Sequence, residues 1–530
     1  MICSLCGAVA EVPLGLGAHV NSRARPRFVK VLLSLGTIAL SQGAMAHADQ
    51  PAACKPGPAR DEFYWLGEFN KASTVMVVEQ GIVTRPLGRK IADGVAQVVS
   101  DGDKPGAARP SDYLELEKLL IAAAGPDVTR VHSGRSRQDL TATSNRTLLR
   151  VRELELTDSL IKARDRIQSL SRRHVHTIIP AYTNGVQAQP TTLAHYLLAF
   201  DAALAREGER IRQAYPRLNL SPLGSAALGT SSFAVNRTRL AELLGFDGVA
   251  ENSFDATQVS SLDVPLEAIG IAQSIALSIG PLVEDIEIQY RNPNPWILLR
   301  EGTLTGPSSI MPQKRNPYGL ILLRQEASQV VADAYAFAVL AHNVAPGMLD
   351  YKRGAAERTV DDATSLLKQL ALVIDNLVID PKRALDEVNA DYSTTTELAN
   401  ILQRDNDVPF RIGHHFASEL VTYGRSKNIR PVDIPYSEAQ RIYTESARSF
   451  GVERANFPLT ESRFQQSLRA ENMIESSRGL GGPQPSEVTR MMDAQSRLLA
   501  ADRDWLVTKR IQLAGACARL EEAFNAIRTP

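Results

Sequence analysis

Residues Gly306-Pro307-Ser308-Ser309-Ile310-Met311-Pro312-Gln313-Lys314-Arg315-Asn316-Pro317 concentrate more reactive chemistry than any other stretch of this chain. The prolines and the glycine keep the segment out of regular helix. From Ser308 to Asn316 it carries two hydroxyls, two side-chain amides and two cations. A loop of that kind can wrap a polyanionic small molecule. It can also set Ser308 beside the ammonium of Lys314, which would lower the cost of an alkoxide. As bare chemistry it is an anion-binding loop with a candidate base, and the competing reading is a surface turn with solvated charges.

Three further segments are read together with this loop. They are His132-Ser133-Gly134-Arg135-Ser136-Arg137-Gln138-Asp139, then Pro180-Ala181-Tyr182-Thr183-Asn184-Gly185-Val186-Gln187-Ala188-Gln189-Pro190, then Leu223-Gly224-Ser225-Ala226-Ala227 followed by Asn252-Ser253-Phe254-Asp255-Ala256-Thr257. In order and spacing the four resemble the motifs of the argininosuccinate lyase branch of the fumarase/aspartase superfamily, from about Glu62 to about Val488. The Met-Pro-Gln-Lys-Arg-Asn-Pro form of the first loop is closest to that branch. Enzymes of the superfamily cleave C–N or C–O bonds by β-elimination and release fumarate.

The resemblance implies an all-α, three-domain fumarase/aspartase-like fold with a central long-helix bundle. It implies a homotetramer in which each active site is built from three chains, and a small dicarboxylate substrate. Ser308 would be the base. Lys314 and Asn316, with Gln313 beside them, would bind the carboxylate and stabilise the dianionic, enolate-like intermediate that proton removal creates. Thr183 would hydrogen-bond the fumarate portion. Ser136 and Arg137 would sit near the substrate, and Gln138 stands where the branch usually has Asn. A structural ion pair with Asp139 is the other reading of Arg137. No cofactor and no metal are implied, and no phosphate fingerprint or metal-ligand spacing is present in the sequence.

Two departures bear on function. Asn184 occupies the position where the branch has a histidine assigned to acid or orienting work, and a carboxamide cannot act as an acid near neutral pH. The substrate-binding stretch after the signature helix matches poorly over residues 346–357, where Tyr351 and Lys352 are the nearest substitutes. The fumarate half of the substrate therefore looks kept, and recognition of the arginine half is open. Three functions follow: cleavage of argininosuccinate to arginine and fumarate, cleavage of another N-substituted aspartate such as an aminopolycarboxylate of the ethylenediamine-disuccinate kind, or a non-catalytic tetrameric scaffold or binding protein. A hydratase would want the Met-Pro-Gly-Lys variant of the loop, where this chain has Gln313.

The positioning elements read as helices. Residues 111–124 place Tyr113, Leu116, Leu119, Leu120 and Ala123 at helical spacing, and residues 191–215 align Leu193, Tyr196, Leu197, Phe200, Leu204 and Ile211. Residues 263–290 form a long apolar helix interrupted by Gln273, Ser274 and Ser278, better suited to a bundle core than to a membrane. A further helix spans about 318–342. The 530 residues predict several domains: 49–133 N-terminal, 134–385 central and 386–530 C-terminal. Acidic and basic residues balance at 59 each and aromatics are 6%, which gives no footprint for a nucleic acid or an anionic membrane surface.

Residues 1–48 read as a signal peptide. Arg23, Arg25, Arg27 and Lys30 precede an apolar run at 31–40, and small residues offer cleavage near Ala46 or Ala48. A periplasmic or secreted protein with no membrane segment after cleavage is expected, a cytoplasmic one with a disordered extension being the alternative. In an oxidising compartment Cys54 and Cys517 could pair.

Overall fold

The computed structural model describes residues 60–348 and 355–529. The leader with its cleavage sites lies outside these residues, as do Cys54, Tyr351 and Lys352. Cys517 is disulfide-bonded.

Helices α1 (Glu62–Glu79), α2 (Arg85–Gly102) and α3 (Tyr113–Ala124) begin the described chain. Asp61 and Asp112 cap α1 and α3 by accepting the backbone N–H groups of Tyr64 at 3.0 Å and Leu114 at 2.8 Å. Tyr113, Leu116 and Leu120 of α3 are buried, whereas Leu119 and Ala123, expected on the same face, are exposed. A three-turn helix packed on α2 and on the short 3-10 helix at Pro126–His132 buries only a narrow stripe, and these two fall to one side of it.

Helix α4 (Arg137–Arg173) has 37 residues and so runs ~55 Å. The antiparallel hairpin of β1 (Ile178–Thr183) and β2 (Val186–Thr192) turns the chain into α5 (Leu193–Leu218). Helix α5 is antiparallel to α4, since Arg164 bonds Asp201 at one end of the pair and Arg146 bonds the Leu218 carbonyl at the other. Strands β3 (Leu220–Ser221) and β4 (Gly248–Val249) pair in parallel around α6 (Arg237–Leu243). A π-helical turn at Asp255–Val259 opens α7 (Ser260–Gln289), which runs antiparallel to α5 through Arg210–Ser274 and Tyr196–Asp285 contacts. After β5 (Ile297–Leu299), strands β6 (Gly306–Pro307) and β7 (Arg315–Asn316) pinch off the signature loop, and α8 (Tyr318–Ala341) and α9 (Ala355–Asp375) complete the bundle. Strand β8 (Leu377–Ile379) pairs with β5.

The bundle core is a run of Leu, Ile and Ala at helical spacing, including Leu156, Leu160, Ala163 and Ile167 of α4, Leu197 and Leu204 of α5, and Ile275 and Ile279 of α7. Each such Leu or Ile taken out of water stabilises the fold by roughly 1.5–3 kcal/mol. Helix α7 is long and apolar enough by length and composition to cross a membrane, but half of its apolar window is buried in the bundle. The helices expected at 111–124, 191–215, 263–290 and 318–342 are present as α3, α5, α7 and α8, with ends moved by up to three residues.

Beyond the bundle lie α10 (Pro381–Ala390), α11 (Thr395–Asn406), α12 (Phe410–Lys427), α13 (Tyr436–Ser449), α14 (Glu461–Ser467) and α15 (Ala470–Ser476). Helices α11, α12, α13 and α14 gather around Phe416, Tyr443, Phe457 and Phe464, whereas α10 packs on β1 with Ala384 in the bundle core and α15 packs on β2. Helix α16 (Pro485–Arg528), 44 residues long, then runs back along the molecule. Its Leu499 and Leu506 pack with Leu154 of α4 and Tyr215 of α5, and its Leu520, Phe524 and Ile527 join the cluster made by α1, α2 and α3. Arg164, with no exposed side-chain surface, bonds Asp201 at 2.9 Å and Asp502 at 2.6 Å and so ties α4, α5 and α16 together. Removing one partner from such a buried set costs about 3–5 kcal/mol.

Candidate active site

The signature loop is closed at its base by the β6–β7 pair, Gly306 opposite Asn316 and Pro307 opposite Arg315. Gly306 is required there, because a Cβ on it would lie 2.0 Å from the ring of Tyr318. Arg315 is a brace. Its guanidinium bonds Glu301 at 2.9 Å and the Pro312 carbonyl at 2.8 Å. Gln313 and Lys314 are exposed, and the Lys314 ammonium has no hydrogen-bond or ion-pair partner among the described residues. The expected contact between Ser308 and Lys314 is therefore not made. Instead the half-buried Ser308 oxygen accepts the backbone N–H of Met311 at 3.2 Å, with that of Ile310 at 3.5 Å. Amide hydrogens aimed at a hydroxyl oxygen favour its anion, so the loop's own backbone supplies part of what the lysine was expected to supply. Asn316 is half-buried, its amide 3.5 Å from the Tyr318 hydroxyl.

Thr183 and Asn184 lie at the tip of the β1–β2 hairpin, both exposed. Thr183 pairs with Val186, leaving a two-residue turn in which Asn184 has φ 53° and Gly185 φ 76°. Asn-Gly is the dipeptide that this mirror-image turn prefers, because both positions need positive φ. The position expected to hold an acid is thus a turn former. A bulge between Ala181 and Tyr182 re-aims the strand. Tyr182 then donates its hydroxyl proton to Glu387 of α10, and Gln187 donates to the Val388 carbonyl and the Ser393 hydroxyl, each at 3.1 Å.

The remaining motifs meet at the start of α4. Ser136 caps the helix and its own N–H donates to Asp139 at 2.8 Å, a reciprocal capping box. The other oxygen of Asp139 accepts the backbone N–H groups of Gly224 at 2.8 Å and Ala226 at 3.1 Å. Gln138 bonds Gln258 at 3.3 Å, and Gln258 and Thr257 both donate to the Ala227 carbonyl. Burial pushes the Asp139 carboxyl up to about 6, against the pull of its backbone donors. Burial, then the nearby Arg135, holds the His132 imidazole down at about 4. Arg135 is locked inward on Asn70, Ser73 and Tyr113. Arg137 is 61% exposed in its side chain, 3.8 Å from Asp112. The ion pair with Asp139 does not form, because that carboxylate is buried and engaged by backbone.

Antiparallel packing sorts these pieces to two ends. The 136–139, 223–227 and 252–258 segments sit where α4 and α7 begin. The hairpin and the signature loop sit where α4 and α7 end. Helix α7 has 30 residues, which puts the ends ~45 Å apart. Ser308, Gln313, Lys314, Asn316, Thr183 and Asn184 share one end, and Ser136, Arg137 and Gln138 the other. Sequence reading did not single out Tyr182, Asn292 or Glu387. Asp139 it read only as a partner for Arg137, although the Ser-x-x-Asp spacing of a capping box was there to be seen.

Residues 118–332 match the lyase family, and residues 392–475 match the argininosuccinate lyase C-terminal family. The argininosuccinate lyase of Methanosarcina acetivorans is 32% identical over 465 residues, 86% of this chain and 91% of that protein. That of Methanothrix thermoacetophila is 30% identical over 88% of this chain and 95% of its own length. Among solved structures, EDDS lyase in complex with formate aligns at a TM-score of 0.79 and 26% identity, covering 90% of this chain and 97% of that one. A fumarate lyase from Mesorhizobium sp. BNC1, at 0.65 and 17% identity over 82% and 96%, shares the fold. The chain belongs to the argininosuccinate lyase branch of the fumarase/aspartase superfamily, and it is a lyase of that superfamily.

Proposed function

We propose that this lyase eliminates fumarate from an N-substituted aspartate. Ser308 takes the proton from the carbon next to a carboxylate. The negative charge that develops is held by Lys314 and Asn316, with Gln313 beside them, and Thr183 hydrogen-bonds the departing fumarate. Ser136, Arg137 and Gln138 complete the site from a second copy, because within one chain they lie a bundle length away. The observation that carries this reading is Ser308 in a closed loop with backbone N–H donors on its oxygen and, six residues on, a cation with no partner among the described residues.

A homotetramer is supported by an apolar stripe along α7. Leu266, Gly270, Leu277, Pro281 and Ile288 are all exposed and fall within about 60° of one another at helical spacing, a sector they share with the exposed Asp263 and Glu284. Export to an oxidising compartment is supported by the disulfide at Cys517 and the leader pattern.

Argininosuccinate is the nominal substrate, on the 30–32% identity to argininosuccinate lyases. An aminopolycarboxylate is the second reading, favoured by the Asn184-Gly185 turn in place of a histidine and by the likeness to EDDS lyase. The test is fumarate absorbance with argininosuccinate and ethylenediamine-disuccinate offered separately to the purified protein, with Ser308→Ala run beside it. Fumarate release lost by about 10²–10⁴-fold in the variant supports the reading. Equal rates in the two proteins remove Ser308 as the base, and no release from any N-substituted aspartate moves the chain to a binding role.

A further inference from the structure

Near its tip, the hairpin that presents Thr183 and Asn184 is held against α10. Tyr182 and Gln187 are the cross-strand pair just below the turn, and both side chains reach α10. Tyr182 donates to one oxygen of Glu387. The other oxygen accepts the side-chain N–H of Asn292 at 2.9 Å. Asn292 lies in the turn that leads from α7 towards β5 and the signature loop, and its carbonyl oxygen is itself fixed by the Asn294 N–H at 2.9 Å. Both oxygens of one carboxylate are thus used, one for the hairpin that carries Thr183 and one for the turn after α7 that leads through β5 to the signature loop. Helix α10 is well anchored to serve as the post. Asp380 caps it through the N–H groups of Lys382 and Arg383, each at 3.1 Å, and Pro381 takes its first position.

We propose that Glu387 is a positioning residue: through Tyr182 and Asn292 it holds the Thr183–Asn184 hairpin in register with the segment entering the signature loop. The inference rests on the elimination reading for its functional consequence, but the clamp itself does not. A small turn bearing exposed side chains has little packing of its own, so its placement depends on such contacts. A displacement of about 1 Å in a substrate-holding group can cost about a hundred-fold in rate. Glu387 touches no reacting atom; its effect passes through Thr183.

The test uses Tyr182→Phe, Glu387→Gln and the double variant of the full chain, each read two ways. Amide hydrogen exchange across residues 181–187 reads the clamp without any need for turnover, and fumarate release gives kcat and KM separately. Exchange in the hairpin rises in both single variants and rises no further in the double. In parallel kcat falls about ten-fold or more, and the two rate losses fail to multiply, as expected for residues acting as one unit. Unchanged exchange in either single variant overturns the clamp, whether or not the chain proves catalytic. Faster exchange with kcat and KM both unchanged overturns the positioning role and leaves a purely structural contact. Absent turnover in the unmodified chain is a failure of the elimination reading alone, and the exchange result then decides the clamp.

Discussion

The two ends of the helix bundle carry similar amounts of polar chemistry and treat it in opposite ways. At the start of α4, Ser136, Asp139, Gly224, Ala226, Gln258 and Ala227 are cross-bonded within the chain, and Asp139 and Gln258 are buried. At the far end, Ser308, Lys314, Thr183 and Asn184 stand on loops that face solvent, and neighbouring Ile310 is 83% exposed. One end is a finished scaffold with an arginine projecting from it. The other is a set of reactive groups with walls missing. The proposed site needs pieces that lie ~45 Å apart in a single chain, and the proposal therefore has the finished end of one copy close the open end of another.

Loss of the proposed base at the open end, as in Ser308→Ala, is the largest expected effect and falls on rate with the melting temperature unchanged. The bundle interior, midway along α4, should respond the other way round. Glu153 of α4 is fully buried, one of its oxygens has no protein partner, and burial, then Glu267, pushes its carboxyl up to about 8. The folded chain therefore keeps a proton that the unfolded chain releases near its ordinary value of 4.5. That contribution to stability is fully present below 4.5 and is lost as pH rises through about 8. Against Glu153→Gln, the unmodified chain should lose roughly 3–4 kcal/mol between about pH 5 and pH 8 in denaturant titrations. A parallel pair of curves would contradict this.

Asp139→Asn leaves at least one buried backbone N–H without its acceptor and should cost about 2 kcal/mol. An activity loss without a stability loss there would break the contrast between the ends. The smallest effect is expected at the hairpin tip. Asn184→Ala puts an ordinary residue at φ 53° and should cost about 1 kcal/mol of local stability, seen as faster exchange of the Thr183 and Val186 amides.

Much of this was legible in the residues. The signature loop was found by its chemistry, the 180–190 segment and the α4 start by their resemblance to family motifs, and apolar spacing located α3, α5, α7 and α8. Helices α4 and α16 were not singled out, although they are the longest described. Their buried faces include Arg146, Arg150, Arg164 and Asp502, so charge interrupts the apolar row that marks an amphipathic helix. Asn184 was read as a lost acid, while the Asn-Gly pair was equally a turn signal. Glu387 was out of reach, since nothing local ties it to Tyr182, 205 residues away. Which motifs share an end depends on antiparallel packing, and spacing along the chain does not contain that.

The central claim is that the two ends meet between copies, and mixing two crippled chains tests it most directly. Arg137→Ala disables the finished end and Ser308→Ala the open end. Each alone should release little fumarate from whichever N-substituted aspartate the unmodified chain cleaves. Co-expressed in equal amounts, they should recover about one quarter of the unmodified rate, because random assembly brings an intact end of each kind together in about one site in four. A mixture no more active than the better single variant would contradict a site shared between copies.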